Sequence, residues 1–152
     1  MPNRTGTEDL RTITVSERYD VPAHELWAHV VRYAALEATM SGRFVRVRCP
    51  EGEEQVGHDV SLTFRLFGRI PIGRWRFKVT MRDDARRRLV SEEQGTGVRS
   101  WMHEIMIDEE PDGGARLTDT ITIDAGRLTP LVCAFAKRDY MRRHRLRRRL
   151  LA

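Results

Sequence analysis

Two side chains able to exchange a proton near neutral pH stand in neighbouring stretches of this sequence. His103 lies in Val98–Asp108 and Asp119 lies in Arg116–Asp124, and both stretches alternate apolar with polar residues. An imidazole beside a carboxylate is a common acid–base pair, because the carboxylate orients the ring and raises its pKa. The chemistry available to this pair therefore depends on whether the fold brings the two side chains together.

The alternation predicts a hairpin of two antiparallel strands joined by a turn at Asp112-Gly113-Gly114. One face of this hairpin is mainly apolar and carries both candidates: Trp101, His103, Ile105, Ile107, Leu117, Asp119, Ile121 and Ile123. A turn centred near Gly113 pairs His103 with Ile123, which leaves His103 and Asp119 roughly 13 Å apart at the rise of a strand. A direct hydrogen bond between them is therefore not expected, and a catalytic pair is the weaker interpretation.

The rest of the chain predicts a single α+β domain over residues 11–152, after a disordered tail at residues 1–10. Alternation predicts a first strand at residues 11–19, and helical spacing then predicts two short helices between Ala23 and Met40, broken near Arg32. Further strands are predicted at residues 44–49, 56–67, 72–83 and 87–94, before the hairpin. A long helix from Leu128 to Leu151 ends the chain, and its apolar stripe is approximated by Leu128, Leu131, Val132, Phe135, Leu146 and Leu150. About seven strands in a curved antiparallel sheet around that last helix are expected.

Composition narrows the classes of function. The chain has 27 Lys and Arg against 22 Asp and Glu, a net charge of +5, which says nothing firm about partners. Cys49 and Cys133 match no metal spacing and fit a reducing cytosol, and His24 and His29 complete no ligand set, so neither a metal nor a cofactor is predicted. No apolar run approaches the roughly 20 residues of a membrane span. We expect a soluble, cytoplasmic protein with no more than weak membrane contact.

An inward carboxylate at Asp119 requires a partner, because an unpaired buried charge is costly. The last strand spans about 23 Å beyond Asp119, and a helix that begins near Leu128 and runs back over the sheet covers that distance in about 15 residues. The level match predicts an ion pair between Asp119 and Arg142 or Arg143. We expect this pair to be a structural link between sheet and helix.

Three motifs resemble those of the START-like helix-grip superfamily, also labelled SRPBCC or polyketide cyclase/dehydrase and lipid-transport-like. Gly97–His103 reads GVRSWMH, Gly113–Asp119 reads GGARLTD and Tyr140–His144 reads YMRRH, in the order found in that group. The resemblance implies a helix-grip fold and an internal cavity, in a superfamily of carriers, cyclases, receptors and chaperone regulators. From the inward faces we expect the cavity to be lined by Leu62, Phe64, Trp75, Phe77, Trp101, His103, Ile105, Ile121 and Phe135.

The last predicted helix carries a dense basic cluster. Its members are Arg142, Arg143, Arg145, Arg147, Arg148 and Arg149. The cluster could bind nucleic acid or acidic lipid through counterion release or surface potential. No nucleic-acid motif accompanies it, however, and Leu146, Leu150 and Leu151 still supply an apolar stripe. A solvated helix face is the preferred interpretation, and nucleic acid is not expected as a partner.

Three hypotheses of function follow. The first, which we prefer, is a carrier or sensor that binds a small hydrophobic molecule, such as a lipid, a polyketide or another aromatic metabolite, in the cavity. The second is a polyketide aromatase/cyclase in which His103 or Tyr19 moves protons, although no convincing acid–base pair supports it. The third is anion binding through the Arg-rich helix. The sequence leaves the ligand and the oligomeric state open.

Overall fold

The computed structural model describes residues 9–152, so most of the predicted tail at residues 1–10 lies outside the described residues. The chain begins with strand β1 (Arg11–Tyr19), followed by helices α1 (Ala23–Val30) and α2 (Tyr33–Met40). Strands β2 (Val45–Arg46), β3 (Asp59–Leu66), β4 (Ile70–Asp83), β5 (Arg88–Gly95), β6 (Val98–Glu109) and β7 (Ala115–Asp124) follow. A short 3-10 turn (Gly126–Leu128) then leads into the long helix α3 (Thr129–Leu150).

The seven strands form one antiparallel sheet in the order β1-β7-β6-β5-β4-β3-β2. Strands β2 to β7 are a meander of sequential neighbours, and β1 joins the sheet beside β7. Helix α3 packs on β1, β7 and α2. The predicted α+β class, the meander, the two short helices and the long last helix are confirmed. The predicted strand at residues 44–49 shortens to Val45–Arg46, because the following segment leaves the sheet.

The apolar core consists of two clusters. The larger one packs α1 and α2 against one end of the sheet, and the smaller one packs the first half of α3 against β1, β6 and β7. Trp75 contacts both clusters, so its indole joins them across the sheet.

Helix α3 turns an unexpected face to the sheet. Its buried residues follow each other at helical spacing: Thr129, Cys133, Ala136, Tyr140, His144 and Arg147. The more apolar stripe expected to face inward, Leu128, Leu131, Phe135 and Leu150, is exposed. Small side chains at Cys133 and Ala136 allow α3 to approach the sheet closely, and polar side chains nearer the end of the helix contact polar groups of the sheet. None of the helices within residues 9–152 is long and apolar enough to cross a membrane.

Candidate functional site

His103 stands between two carboxylates on the face of the sheet that is covered by α3. Its Nε2 hydrogen donates to Asp119 Oδ1 over 2.6 Å, and its Nδ1 lies 3.5 Å from Glu93 Oε1. Glu93 in turn accepts from Trp75 Nε1 at 2.6 Å and from Ser91 Oγ at 3.0 Å. Strands β5, β6 and β7 each supply one member of this buried acid–imidazole–acid group, because residues of one face recur at every second position.

The contact between His103 and Asp119 corrects the expectation that they lie far apart. Glu109 pairs with Ala115, so His103 lies opposite Ile121 and Asp119 lies opposite Ile105. This register differs by two residues from the expected one. A slip of two keeps every side chain on its face while moving all partners along the sheet. His103 and Asp119 therefore become diagonal neighbours, and the hydrogen bond excluded on the expected register is formed.

The predicted ion pair between Asp119 and Arg142 or Arg143 is wrong. Both arginines bind Asp139 on their own helix, with N–O distances of 2.9 and 2.7 Å. The helical partner of Asp119 is His144, whose Nε2 lies 2.8 Å from Asp119 Oδ2, in a contact without the geometry of a linear hydrogen bond. The strand and helix lengths thus predicted nearly the right position along α3 for the partner of Asp119, but the wrong residue.

The polar chain continues from His144 to the first strand. The hydroxyl of Tyr19 lies 2.6 Å from His144 Nδ1, and burial raises the pKa of this phenol, so it stays protonated and donates. Glu93, His103, Asp119, His144 and Tyr19 thus form one buried series across β5, β6, β7, α3 and β1. This series links the sheet to the helix that covers it.

The carboxylates dominate the electrostatics of His103. Burial lowers the pKa of this imidazole, but its contacts with Asp119 and Glu93 outweigh burial and raise the pKa to about 9. Burial likewise raises the pKa of Asp119, but His103 and His144 more than offset this and hold the pKa well below its usual range. At neutral pH the group is therefore an imidazolium flanked by carboxylates, and both of its ring nitrogens face acceptors.

Aromatic rings pack against this group. The indoles of Trp75 and Trp101 meet edge to face with their centroids 5.0 Å apart. Tyr140 from α3 lies edge-on to His103 at 5.0 Å and stacks on Trp101 at 6.5 Å. Gly95 makes room for the indole of Trp75, because a Cβ at this position would fall 2.0 Å from Trp75 Cε3. The rings and the polar group therefore pack together between the sheet and α3.

The structure brings together most residues predicted to line a cavity. Leu62, Phe77, Trp101, Ile105 and Ile121 are buried, and Phe64, Trp75 and His103 are half-buried. Phe135 is the exception: it is 72% exposed, because it lies on the outer stripe of α3. Tyr140 occupies the inward position instead.

The surface carries four depressions of about 400 to 1290 Å³, two of which lie beside the ring cluster. The two beside the ring cluster reach it only at its margin, through Trp101 and Glu93 in one and through Trp75 and Leu62 in the other. His103, Phe77, Ile105 and Ile121 line none of these four depressions. At the level of His103, the rings of Trp75, Trp101 and Tyr140 occupy the space between sheet and helix.

A third carboxyl near the group was not predicted from the sequence. Glu54 lies in the segment between β2 and β3 and is 5% exposed; burial raises its pKa to about 8, while the charge of His103 acts to lower it. No periodicity marks this loop residue. Glu93 and His144 were also missed, although Glu93 alternates with the inward Leu89 and Ser91, and His144 follows Tyr140 at helical spacing. Period counting that included polar residues would have found both.

The Arg-rich cluster of α3 is largely engaged within the protein. Arg142 and Arg143 bind Asp139, Arg148 lies 3.1 Å from Glu17, and Arg147 is buried. Only Arg145 and Arg149 of the six are exposed without a carboxylate within 4.0 Å among residues 9–152. The structure therefore gives little support to an anion-binding surface on this helix.

Comparisons with known proteins agree on the fold and give no activity. The model of a family described as Domain of unknown function (DUF8410) matches residues 17–151. No curated protein matches the sequence. Among solved structures, protein CV1439 of Chromobacterium violaceum is similar with a TM-score of 0.74 and 13% identity over 91% of this chain and 95% of the other.

Two further solved structures show the same similarity of fold. Protein Ms6760 of Mycobacterium smegmatis has a TM-score of 0.73 and 14% identity, over 93% of this chain and 90% of the other. A protein of Rhodobacter sphaeroides has a TM-score of 0.70 and 14% identity, over 92% and 91%. These neighbours are consistent with a helix-grip fold, and at such low identity they indicate nothing beyond the fold.

Proposed function

We propose that this protein, a member of the DUF8410 family, binds a small, largely apolar molecule as a carrier or sensor. The proposed seat is the wall formed by Trp75, Trp101 and Tyr140, with the polar end of the ligand directed at Glu93 and His103. The resemblance to START-like SRPBCC proteins supports this proposal, since many of them hold apolar ligands between sheet and helix.

The observation that carries the proposal is the contact between half-buried Trp75 and buried Trp101 at the junction of the two core clusters. Large rings provide apolar contact area, and the few polar atoms among them can orient one end of a ligand. The ring of Trp75 contacts both clusters and is only half-buried. Rotation of this indole about its side-chain bonds would open space beside His103 for a guest.

The charge state of His103 favours binding over proton transfer. A general base must be neutral, yet the pKa of about 9 keeps this imidazole protonated at neutral pH. Both ring nitrogens face carboxylates, so neither proton is free for a substrate. Tyr19, the other weak candidate for catalysis, is 2% exposed and donates to His144. A ligand could still donate a hydrogen bond to the Glu93 carboxylate without any chemistry.

One observation favours the second candidate, a cyclase or dehydratase acting on a polyketide-like chain. Glu54 is a buried carboxyl whose pKa is raised to about 8, which suits an acid–base catalyst near neutral pH. In this alternative, Glu54 rather than His103 would exchange the proton during aldol closure and loss of water. Turnover of a poly-β-ketone by wild-type protein, lost in Glu54→Gln, is the result this alternative requires.

The binding proposal is tested with the intrinsic tryptophans. Trp27 donates to Asp84 at a distance from the proposed seat, so the Trp27→Phe variant leaves Trp75 and Trp101 as reporters. Titration of this variant with a set of apolar aromatic probes should shift its emission, and Trp75→Ala should weaken binding about tenfold while a Phe44→Ala control keeps it. Native mass spectrometry of gently purified protein should show an apolar adduct. Unchanged emission with every probe, together with an adduct-free mass, would refute the proposal.

A further inference from the structure

The turn between β3 and β4 carries an apolar surface that the rest of the protein leaves uncovered. Phe44, Phe67, Ile70 and Ile72 form this surface, here called the apolar tip, and each is between 52% and 63% exposed. The two phenylalanine rings meet edge to face at 6.0 Å, and Phe67 N–H donates to Phe44 O over 2.7 Å. The tip is thus an ordered contact surface built from two segments of the chain.

Five exposed arginines, here called the arginine collar, lie in the same two segments of the chain as the apolar tip. Its members are Arg43, Arg46, Arg65, Arg69 and Arg74. The two segments that form the tip, residues 38–50 and 60–82, contain no Asp or Glu at all. Within residues 9–152 no collar arginine lies within 4.0 Å of a carboxylate, whereas most arginines of α3 are paired or buried. The collar is therefore a concentrated positive charge open to an external anion.

The backbone at Phe67 adopts a conformation that is costly for an aromatic residue. Phe67 has φ 51°, in the left-handed region that a bulky side chain rarely adopts, and the next residue is Gly68 with φ 72°. Glycine or asparagine would fit this turn with less strain. Strained residues of this kind cluster at sites that bind something. An aromatic side chain projecting from such a position toward solvent gains little for the folded protein itself.

The same end of the molecule carries the exposed stripe of α3. The β3–β4 turn and the β5–β6 turn lie at one end of the sheet, because neighbouring strands are antiparallel. Ser100 pairs with Asp124, so the start of α3 with Leu128, Leu131 and Phe135 lies at that end too. The apolar tip and this helical stripe therefore point their exposed groups from one end of the protein.

We propose that the apolar tip and the arginine collar dock the protein onto an anionic lipid bilayer surface. Aromatic and branched aliphatic side chains partition into the boundary between head groups and acyl chains, and arginines around them bind anionic head groups. This combination of exposed apolar groups with a single sign of charge distinguishes a bilayer from two other occupants. A soluble polyanion would use the collar alone, and a second copy of this chain would bring the same positive charge against the collar. The proposal does not depend on a ligand in the sheet.

Co-sedimentation with vesicles tests the proposal. Wild-type protein should bind vesicles of phosphatidylcholine with phosphatidylglycerol at about 0.1 M salt, bind vesicles of phosphatidylcholine alone at least tenfold more weakly, and dissociate as salt rises. Phe67→Gly should reduce binding at least tenfold without lowering the melting temperature, since glycine adopts φ 51° without strain. The double variant Arg46→Gln/Arg69→Gln should lose binding to a similar extent.

Matched controls separate the tip from general stickiness. Arg145→Gln/Arg149→Gln removes the same charge from exposed positions on α3, and Met102→Ser removes an exposed apolar side chain on the outer face of β6. Both controls should bind vesicles within twofold of wild type. Absence of wild-type binding to anionic vesicles, or equal losses in the controls, would overturn the proposal. So would heparin binding that needs the collar but not Phe67, or a dimer in lipid-free sedimentation that Phe67→Gly dissolves.

Discussion

Replacement of Asp119 by asparagine should strongly destabilise the protein. The carboxylate is 3% exposed, takes a hydrogen bond of 2.6 Å from His103 and lies 2.8 Å from His144. Asparagine keeps the shape but removes the negative charge, and its amide hydrogens would face one of the two imidazole donors. Removal of one partner from a buried charged pair costs about 3 to 5 kcal/mol. For a chain of this size, a loss of about 3 kcal/mol lowers the melting temperature by about 6 to 12 °C.

The same substitution should change how stability depends on pH. The folded pKa of His103 is about 9, above the unfolded value of about 6.5. Protonation therefore favours the folded state: this stabilisation is fully present below about pH 6.5 and disappears as pH rises through about 9. Without the charge of Asp119, the pKa of His103 should fall, and the variant should lose much less stability over this interval than wild type.

Thermal denaturation followed by circular dichroism, at pH values from about 6 to about 9, measures both effects. Asp108→Asn is the matched control, because Asp108 lies on the same hairpin, is exposed, and should change stability by no more than about 0.5 kcal/mol. A melting temperature of Asp119→Asn within about 2 °C of wild type would refute the structural role of the carboxylate. Parallel pH curves for wild type and variant would refute its effect on His103.

Three further substitutions have expected outcomes. Glu54→Gln should raise the melting temperature above that of wild type at pH 8 and leave it unchanged at pH 5, because a folded pKa of about 8 means that ionisation of Glu54 opposes folding. The same difference between variant and wild type at both pH values would contradict this. Gly95→Ala should displace the indole of Trp75, lower stability by about 1 to 3 kcal/mol and shift tryptophan emission, whereas unaltered emission would show that the ring is not held there. Tyr19→Phe removes the hydroxyl that donates to His144 Nδ1 and should lower the free energy of unfolding by about 1 to 3 kcal/mol, as measured by urea denaturation. An unchanged free energy of unfolding would contradict this.

Periodicity in the sequence was sufficient to predict most of the fold. Alternation located all seven strands to within three residues at each end, and helical spacing located α1, α2 and α3. The short β2 was overextended, because apolar alternation at residues 44–49 does not reveal which residues find a pairing partner. The face of α3 was also misjudged. Ranking residues by hydrophobicity turned Leu131 and Phe135 inward, whereas close packing on the sheet selects the smaller Cys133 and Ala136.

The site was predictable as a face but not as a set of contacts. His103 and Asp119 were correctly placed on one side of the hairpin, yet their contact depends on the number of residues in the turn between Glu109 and Ala115. Composition marks a turn there without fixing its length, and the error moved every partner by two positions. Asp119 and α3 meet at the level expected from helix and strand lengths. The geometry of a single helical turn then decides whether Arg143 or His144 contacts Asp119, and side-chain spacing alone does not determine this.

The hydrogen bond between Tyr19 and His144 joins residues 125 positions apart, which affects the order in which the native state can be reached. The hairpin of β6 and β7 forms from local contacts, but until α3 docks it holds Asp119 with only one of its two histidines. Closure of so long a loop is entropically expensive and slow compared with hairpin formation. A nascent chain should therefore remain incompletely folded until α3 has been synthesised. Protection of β1 amides from hydrogen exchange should consequently develop late in refolding, together with that of α3.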